Sequence, residues 1–141
     1  MSPIRKVHDF LTVGAPAPLQ QAGITALGLP ESYYQDLAAA YTRRRELFLA
    51  ATAGTLLEMQ PPQGAYYAIA DVHTLRSRLG CADDTELSRR LVLDAGVAAV
   101  PGSSFFATSQ AGTDLIRFAF AKRQETLAEA GRRLRKFLER V

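Results

Sequence analysis

The stretch "TDLIRFAFAKRQETL", residues 113–127, places one arginine inside an apolar and aromatic run. Its first half is rich in strand-forming residues, and alternation predicts a β-strand over residues 115–121 with two different faces. One face carries Ile116, Phe118 and Phe120. Arg117 falls on the other face, between the small or apolar side chains of Leu115 and Ala119. The second half of the stretch begins a helix, so a strand followed by a helix ends the chain.

The face that carries Arg117 has two interpretations. An antiparallel sheet often has one side in water, and Arg117 would then be an ordinary solvated residue. Alternatively, the guanidinium is a planar, permanently charged fork suited to bidentate recognition of a carboxylate or a phosphate. The sequence pattern alone does not choose between these interpretations, nor between the two anions.

The rest of the chain alternates between helical and strand-like patterns. Apolar spacing and Gly or Pro punctuation predict helices over residues 4–12, 18–27, 31–52 and 83–95, and a last helix over about 124–141. Strand-like runs occur at residues 55–59, 65–71 and 97–101. A Gly/Ser/Thr-rich loop, residues 102–114, precedes the Arg117 strand, and loops of this length are often functional. The order predicts an α+β fold or α/β sandwich in which helices cover a sheet.

Composition narrows the class of protein. The chain has 141 residues, 48% of them hydrophobic and 22% charged, which is typical of one globular domain. Cys81 is the single cysteine, so no intrachain disulfide forms, and with His8 and His73 it makes no zinc-spaced cluster. A reducing, cytoplasmic location fits. Neither a membrane-length apolar run nor a signal-peptide pattern is present, so no membrane partner is expected.

Common catalytic and nucleotide-binding motifs are missing from the sequence. It contains no G-x-G-x-x-G after a strand and no P-loop motif. Ser103 lies in "PGSSF", which is not the G-x-S-x-G pattern of a serine nucleophile. The net charge of +3 comes largely from arginines in the last helix, which is weak support for a nucleic-acid partner.

Several stretches together resemble the C-terminal part of class I/II pyridoxal-phosphate-dependent aminotransferases, the fold type I group. The matching stretches, in the family's order, are "KVHDFLTVGAPAPLQQAGITAL", "LPESYYQDLAAAYTRRRELFL", "PPQGAYYAIAD", "GVAAVPGSSFF" and "LIRFAFAKRQETLAEAGRRL". The first two are most similar to the branch with kynurenine, glutamine and bacterial methionine aminotransferases. The resemblance implies a small, largely antiparallel sheet covered by helices. It also implies a remnant of the large domain at residues 1–29, a connecting helix at 30–54 and the small domain at 55–141.

The resemblance also implies roles for individual residues. In the family, the arginine in the strand matching "IRFAFA" binds the substrate's α-carboxylate, which implies that role for Arg117. The loop matching "PGSSFF" lies beside the substrate entrance, which implies pocket-edge roles for Ser103, Ser104, Phe105 and Phe106. The loop matching "TVGAPAP" approaches the substrate site of the neighbouring subunit, which makes Val13 a further candidate.

The cofactor-binding part of the family pattern is missing. The lysine that binds pyridoxal phosphate covalently lies in a Ser-x-x-Lys motif upstream of the matched stretches, and Lys6, Lys122 and Lys136 stand in other contexts. We therefore expect a chain that is inactive alone, and a dimeric parent enzyme that exchanges an amino group between an amino acid and a 2-oxo acid. The alternative is a free-standing, non-catalytic binding module that retains the small-domain fold.

Overall fold

The computed structural model describes residues 3–11 and 14–141. The α-helices of this part are α1 (Pro3–Leu11), α2 (Ala17–Leu27), α3 (Glu31–Thr52), α4 (His73–Leu79), α5 (Asp84–Arg90) and α6 (Gln124–Leu138). Its strands are β1 (Glu58–Met59), β2 (Tyr67–Asp71), β3 (Val100–Pro101) and β4 (Leu115–Ala119). A π-helical turn, Leu91–Ala95, continues α5, and 3-10 turns occupy Gly102–Phe105 and Ser109–Gly112. The chain divides into two compact units, residues 1–37 and 38–141.

The four strands form one sheet in the order β1-β2-β4-β3, and every pairing is antiparallel. The predicted α+β fold with an antiparallel sheet and helices is confirmed. Arg117 pairs in register with Ile69 on β2 and with Val100 on β3. Because β4 is flanked on both sides, Arg117 stands near the middle of the sheet.

One face of the sheet packs on helices and forms the core. Ala68 and Ala70 of β2 and Ile116 and Phe118 of β4 point into this face and are buried. The helices contribute Phe48, Leu75, Leu87, Leu91, Leu127, Leu134, Phe137 and Leu138. The alternation predicted for residues 115–121 is therefore correct, because Phe120, just beyond β4, is buried as well.

Close packing joins α6 to the end of α3. A Cβ atom added at Gly131 would collide with the Cβ of Ala51, so only glycine permits this approach of the helices. Arg135 donates hydrogen bonds to the carbonyl oxygens of Ala51 (3.0 Å) and Ala53 (3.4 Å). These bonds satisfy carbonyl groups that the helix end leaves without intrahelical partners.

The unit of residues 1–37 contains α1, α2 and the first part of α3. None of its described side chains is buried, and apolar residues such as Phe10 and Leu27 face solvent. Within this unit the hydroxyl of Tyr34 donates to the carbonyl of Ala26. The helices predicted at residues 4–12 and 18–27 are present, each beginning one residue earlier, and residue 12 lies outside the described residues.

The sequence analysis missed α4. Its N-terminus has no side-chain cap at Val72, and Asp71 instead accepts a hydrogen bond from the His73 amide at 2.9 Å. The seven-residue helix then ends at Gly80, whose φ of 67° is the left-handed conformation that favours glycine. A helix this short has too few residues for a periodic pattern, so the sequence carried only a weak signal.

The strands β1 and β3 are shorter than predicted. The Val97 amide donates to the Leu91 carbonyl at 3.1 Å, which completes the end of the preceding helical segment. Likewise, the Thr55 amide donates to the Thr52 carbonyl at the end of α3. These helix-terminating bonds occupy backbone groups that the predicted strands would have placed in the sheet.

Residues 3–11 and 14–141 contain neither a candidate membrane span nor a candidate metal cluster. No helix in this part is both long and apolar enough to cross a bilayer. The same residues contain no group of three or more His, Cys, Asp or Glu side chains arranged to hold a metal ion.

Candidate functional site

Arg117 lies on the face of the sheet opposite the core helices. Its strand neighbours on this face are the exposed Ala119 and the half-buried Leu115, and Ile69 stands beside it on β2. The position follows from the period-two alternation of β4, which sends Ile116 and Phe118 to the core and Arg117 away from it.

The guanidinium of Arg117 is held between two aromatic rings. Its Cζ atom lies 4.1 Å from the ring centroid of Tyr67 and 4.4 Å from that of Phe105. Each such cation–π contact stabilises by about 0.5–2 kcal/mol, more when water is excluded. The guanidinium is therefore in contact with one ring from β2 and one from the Gly102–Phe105 turn.

The Nε atom of Arg117 is buried, and no acceptor within residues 3–11 and 14–141 bonds to it. A buried donor without a partner typically costs about 1–3 kcal/mol, and more for a charged group. None of the ion pairs in the same part of the chain involves Arg117. Within its described residues, the chain thus supplies no counterion to this guanidinium.

A pocket of about 290 Å³ adjoins the guanidinium. Its lining residues are Tyr67, Ile69, Gly102, Phe105, Phe106, Leu115, Ile116 and Arg117. Arg117 is the single charged residue of this lining, and the walls are otherwise apolar or aromatic. A low-polarity wall strengthens the attraction between the guanidinium and an anion, because less solvent screens it.

The ring of Tyr67 is held by a second tyrosine. The Tyr67 hydroxyl donates to the Tyr66 hydroxyl at 2.7 Å, and the ring centroids lie 4.2 Å apart. Three effects raise the pKa of Tyr66: the hydrogen bond with Tyr67, the negative charge of an ionised Tyr67, and partial burial. The positive charge of Arg117 acts in the opposite direction and lowers the pKa of Tyr66.

The 3-10 turn Gly102–Phe105 places the other ring. The Ser103 amide donates to Oδ2 of Asp84 at 2.7 Å, and the Ser104 hydroxyl donates to the Pro101 carbonyl at 2.6 Å. A Cβ atom at Gly102 would lie 2.6 Å from the Cβ of Leu115, so the turn sits directly against β4. The turn therefore cannot carry a side chain at its first residue.

The residues implied by the family resemblance occupy different places. Phe105 contacts the guanidinium and Phe106 lines the pocket. The Ser103 backbone amide donates a hydrogen bond to the Asp84 carboxylate, and the Ser104 hydroxyl donates one to the Pro101 carbonyl. Val13 lies outside the described residues.

Sequence reasoning missed Tyr67 and Asp84. Tyr67 reaches Arg117 across the β2–β4 pairing, and that register places it diagonally, opposite Ala119. The strand-like run around Tyr67 was visible in the sequence, but not which strand it pairs with. Asp84 lies in the first turn of α5, and nothing in the sequence indicated that it is buried.

With this geometry established, comparisons with known proteins become informative. The family model described as "Aminotransferase class I and II" matches residues 1–134. The chain belongs to the class I and II aminotransferase family. This confirms the family resemblance found in the sequence.

Individual aminotransferases give the same result. The methionine aminotransferase of Escherichia coli K12 is 35% identical over 132 residues, which are 94% of this chain and 33% of that protein. A probable N-succinyldiaminopimelate aminotransferase of Mycobacterium tuberculosis is 32% identical over 145 residues, covering 97% of this chain and 36% of the relative. The chain therefore spans about a third of the length of these aminotransferases.

Solved aminotransferase structures share the fold. The Escherichia coli structure assigned a methionine aminotransferase function superimposes with a TM-score of 0.76 at 35% identity, over 94% of this chain and 34% of that one. The Mycobacterium tuberculosis N-succinyldiaminopimelate aminotransferase gives a TM-score of 0.78 at 31% identity, over 95% of this chain and 34% of that one.

Aminotransferases of this family imply pyridoxal phosphate as cofactor. The pocket beside Arg117 has neither a lysine to bind the cofactor covalently nor a carboxylate to pair with its ring nitrogen. Lys122 lines a different pocket, together with Phe48 and Phe118 of the core. The described residues are thus unsuited to hold pyridoxal phosphate, although they are suited to bind a carboxylate.

Proposed function

We propose that this chain is the C-terminal part of a pyridoxal-phosphate-dependent aminotransferase that transfers an amino group between an L-amino acid and a 2-oxo acid. Arg117 binds the α-carboxylate of the substrate. Residues 1–29 belong to the large domain in this proposal, residues 30–54 form the connecting helix, and residues 55–141 form the small domain. The parent enzyme is a cytoplasmic homodimer.

The observation that carries this proposal is the state of the Arg117 guanidinium. Two rings hold its plane, its Nε is buried, and no acceptor from residues 3–11 and 14–141 bonds to it. A carboxylate matches the fork of an arginine with two parallel hydrogen bonds. The apolar walls suit the carbon chain that every amino acid attaches to that carboxylate.

The contribution of this chain to catalysis is orientation. A bidentate pair with Arg117 fixes the direction of the carboxylate and hence of the attached Cα and amine. Phe105 and Phe106 border the bound carboxylate and reduce its contact with water, which strengthens the ion pair. The cofactor, held by other parts of the parent enzyme, supplies the electronic stabilisation needed for amino-group transfer.

Substitution of Arg117 in the full-length enzyme tests the proposal. Loss of one partner from a buried charge pair costs about 2–5 kcal/mol, so Arg117→Ala should lower kcat/KM about 30-fold to several thousand-fold for every amino-acid substrate. Arg117→Lys should also be strongly impaired, because an ammonium group lacks the planar fork. The matched control is Arg89→Ala, at an exposed position on α5, which should leave kcat/KM unchanged. Wild-type kinetics for Arg117→Ala would contradict the assigned role.

The isolated 141-residue chain should not transaminate, because its carboxylate pocket has no lysine. Mixing it with pyridoxal phosphate and following the visible spectrum tests this expectation. A specific absorption band that changes when an amino acid is added would contradict it.

A second candidate function is a non-catalytic binding module. It is favoured by the core of residues 38–141, which contains a buried cluster of its own. Sequencing the coding DNA upstream of Met1 distinguishes the two functions. An in-frame continuation with a Ser-x-x-Lys motif supports the aminotransferase, and a nearby stop codon supports the module.

A further inference from the structure

We propose that Asp84 is a positioning residue for the carboxylate site: it anchors the Gly102–Phe105 turn, keeps the Phe105 ring against Arg117, and so sets the affinity for the substrate's carboxylate. This inference rests on the proposed function of Arg117. Asp84 is not one of the residues that line the pocket and makes no ring contact with the guanidinium, so we infer that it acts through the turn to which it is bonded.

The burial of Asp84 requires an explanation. Its residue surface is 1% exposed, and a buried carboxylate is unfavourable unless hydrogen bonds and charges compensate it. Asp84 is the first residue of α5, where the helix dipole favours a negative charge. The capping bond itself is made by the preceding residue, Asp83, which accepts from the Glu86 amide at 2.8 Å. Asp84 is therefore not needed as the N-cap.

The Asp84 carboxylate is instead bonded to the turn. Its Oδ2 accepts from the Ser103 amide at 2.7 Å, a short distance typical of a charge-assisted bond. Ser103 and Asp84 are 19 positions apart in sequence, so this bond ties the start of α5 to the loop before β4. Phe105, two residues after Ser103, belongs to the same turn.

The other side of the turn has no space to move. A Cβ atom at Gly102 would lie 2.6 Å from Leu115 and 2.7 Å from the Gly112 carbonyl, and one at Gly112 would collide with Gly102. A turn released from Asp84 can therefore move only away from the sheet. Such a movement separates the Phe105 ring from Arg117, where they now lie 4.4 Å apart.

The test is a set of variants in the full-length aminotransferase. Asp84→Ala should raise KM for amino-acid substrates about 3- to 30-fold, the range expected from losing a cation–π contact, with kcat within about twofold of wild type. Asp84→Asn keeps an oxygen that can accept from Ser103, so its KM should return to within about threefold of wild type. Asp83→Ala, which removes the neighbouring cap, should reduce stability without raising KM.

A double-mutant cycle with Phe105→Ala identifies the route of the effect. If Asp84 acts through Phe105, Asp84→Ala in the Phe105→Ala background should raise KM by less than about twofold further. Additive effects would overturn the inference, as would an unchanged KM in Asp84→Ala. If Asp84→Ala does not fold, the cycle uses Ser103→Pro instead, because proline lacks the amide hydrogen that Ser103 donates to Asp84. The KM changes expected for Ser103→Pro are those given for Asp84→Ala.

The two proposals fail in different ways. Wild-type kinetics in Arg117→Ala would refute the carboxylate role itself. A strong effect of Arg117→Ala together with wild-type KM in Asp84→Ala would refute only the positioning role.

Discussion

The two faces of the sheet in residues 38–141 differ in what holds their side chains. On the core face, Ile116 and Ala70 are fully buried and belong to the apolar core cluster. On the opposite face, Ile69 remains 54% exposed. The Nε atom of the neighbouring Arg117 is buried, and no acceptor in the described part of the chain bonds to it. Adjacent residues of one strand thus lie in different environments, and in the proposed function they serve stability and binding separately.

This separation has a physical origin. Apolar burial is non-directional and roughly proportional to area, so the core face depends on shape and volume. Recognition of an anion is directional, so in the proposed function the other face depends on the orientation of one guanidinium and on the two rings that contact it. We expect substitutions on the core face to change stability and those on the open face to change binding.

The largest expected effect on stability tests this division directly. Ile116→Ala removes a fully buried side chain and should lower the free energy of unfolding by about 2–5 kcal/mol. Ile69→Ala, on the open face, should change it by less than about 0.5 kcal/mol. Urea denaturation of both variants measures the difference. Equal losses would mean that the open face is covered in the folded protein.

A middle-sized effect is expected where the loop meets the open face. Gly112→Ala introduces a Cβ that collides with the Gly102 backbone, so the free energy of unfolding should fall by about 1–3 kcal/mol. Gly64→Ala is the matched control, because nothing lies within 4 Å of its added Cβ. In the full-length enzyme, Gly112→Ala should also raise KM, since the turn that carries Phe105 must shift. A stable variant with unchanged KM would show that the backbone at Gly102 shifts easily to accommodate the added Cβ.

The smallest effect concerns Asp114, which immediately precedes β4. Partial burial would raise the pKa of Asp114, but hydrogen bonds and charges from Arg76 and His73 outweigh it and hold the pKa below its usual value of 3.8. Arg76 Nε donates to Asp114 Oδ1 at 2.9 Å, and His73 Nδ1 lies 3.2 Å from Oδ2.

A lowered pKa in the folded state stabilises the protein above the unfolded pKa, and this stabilisation disappears as the pH falls through the folded value. The side chain is 40% exposed, so the contribution should not exceed about 1 kcal/mol. Asp114→Asn should therefore remove part of the loss of stability below pH 4, measured by urea denaturation at several pH values. An unchanged acid dependence would indicate that the pair contributes nothing.

Much of the fold was predictable because its signals are local. The bounds of α3 agree with the predicted residues 31–52, and the face assignment of Ile116 and Phe118 followed from alternation alone. The short helix α4 was not predicted because seven residues carry too little periodic pattern, and the truncation of β3 was not predicted because a hydrogen bond at the preceding helix end decides it. The site was predicted only in part: Phe105 and Phe106 were expected at its edge, whereas Tyr67 and Asp84 were not.

The sequence by itself determined the family, the helix-and-strand order around β4, and the separation of Arg117 from the core residues of its own strand. These follow from motifs and from a period of two, which act along the chain. Only the tertiary structure decided that Tyr67 and Phe105 enclose the guanidinium and that Asp84 anchors the turn. Strand register and loop packing bring together residues that are distant in sequence, and these depend on the balance of many contacts rather than on any local pattern.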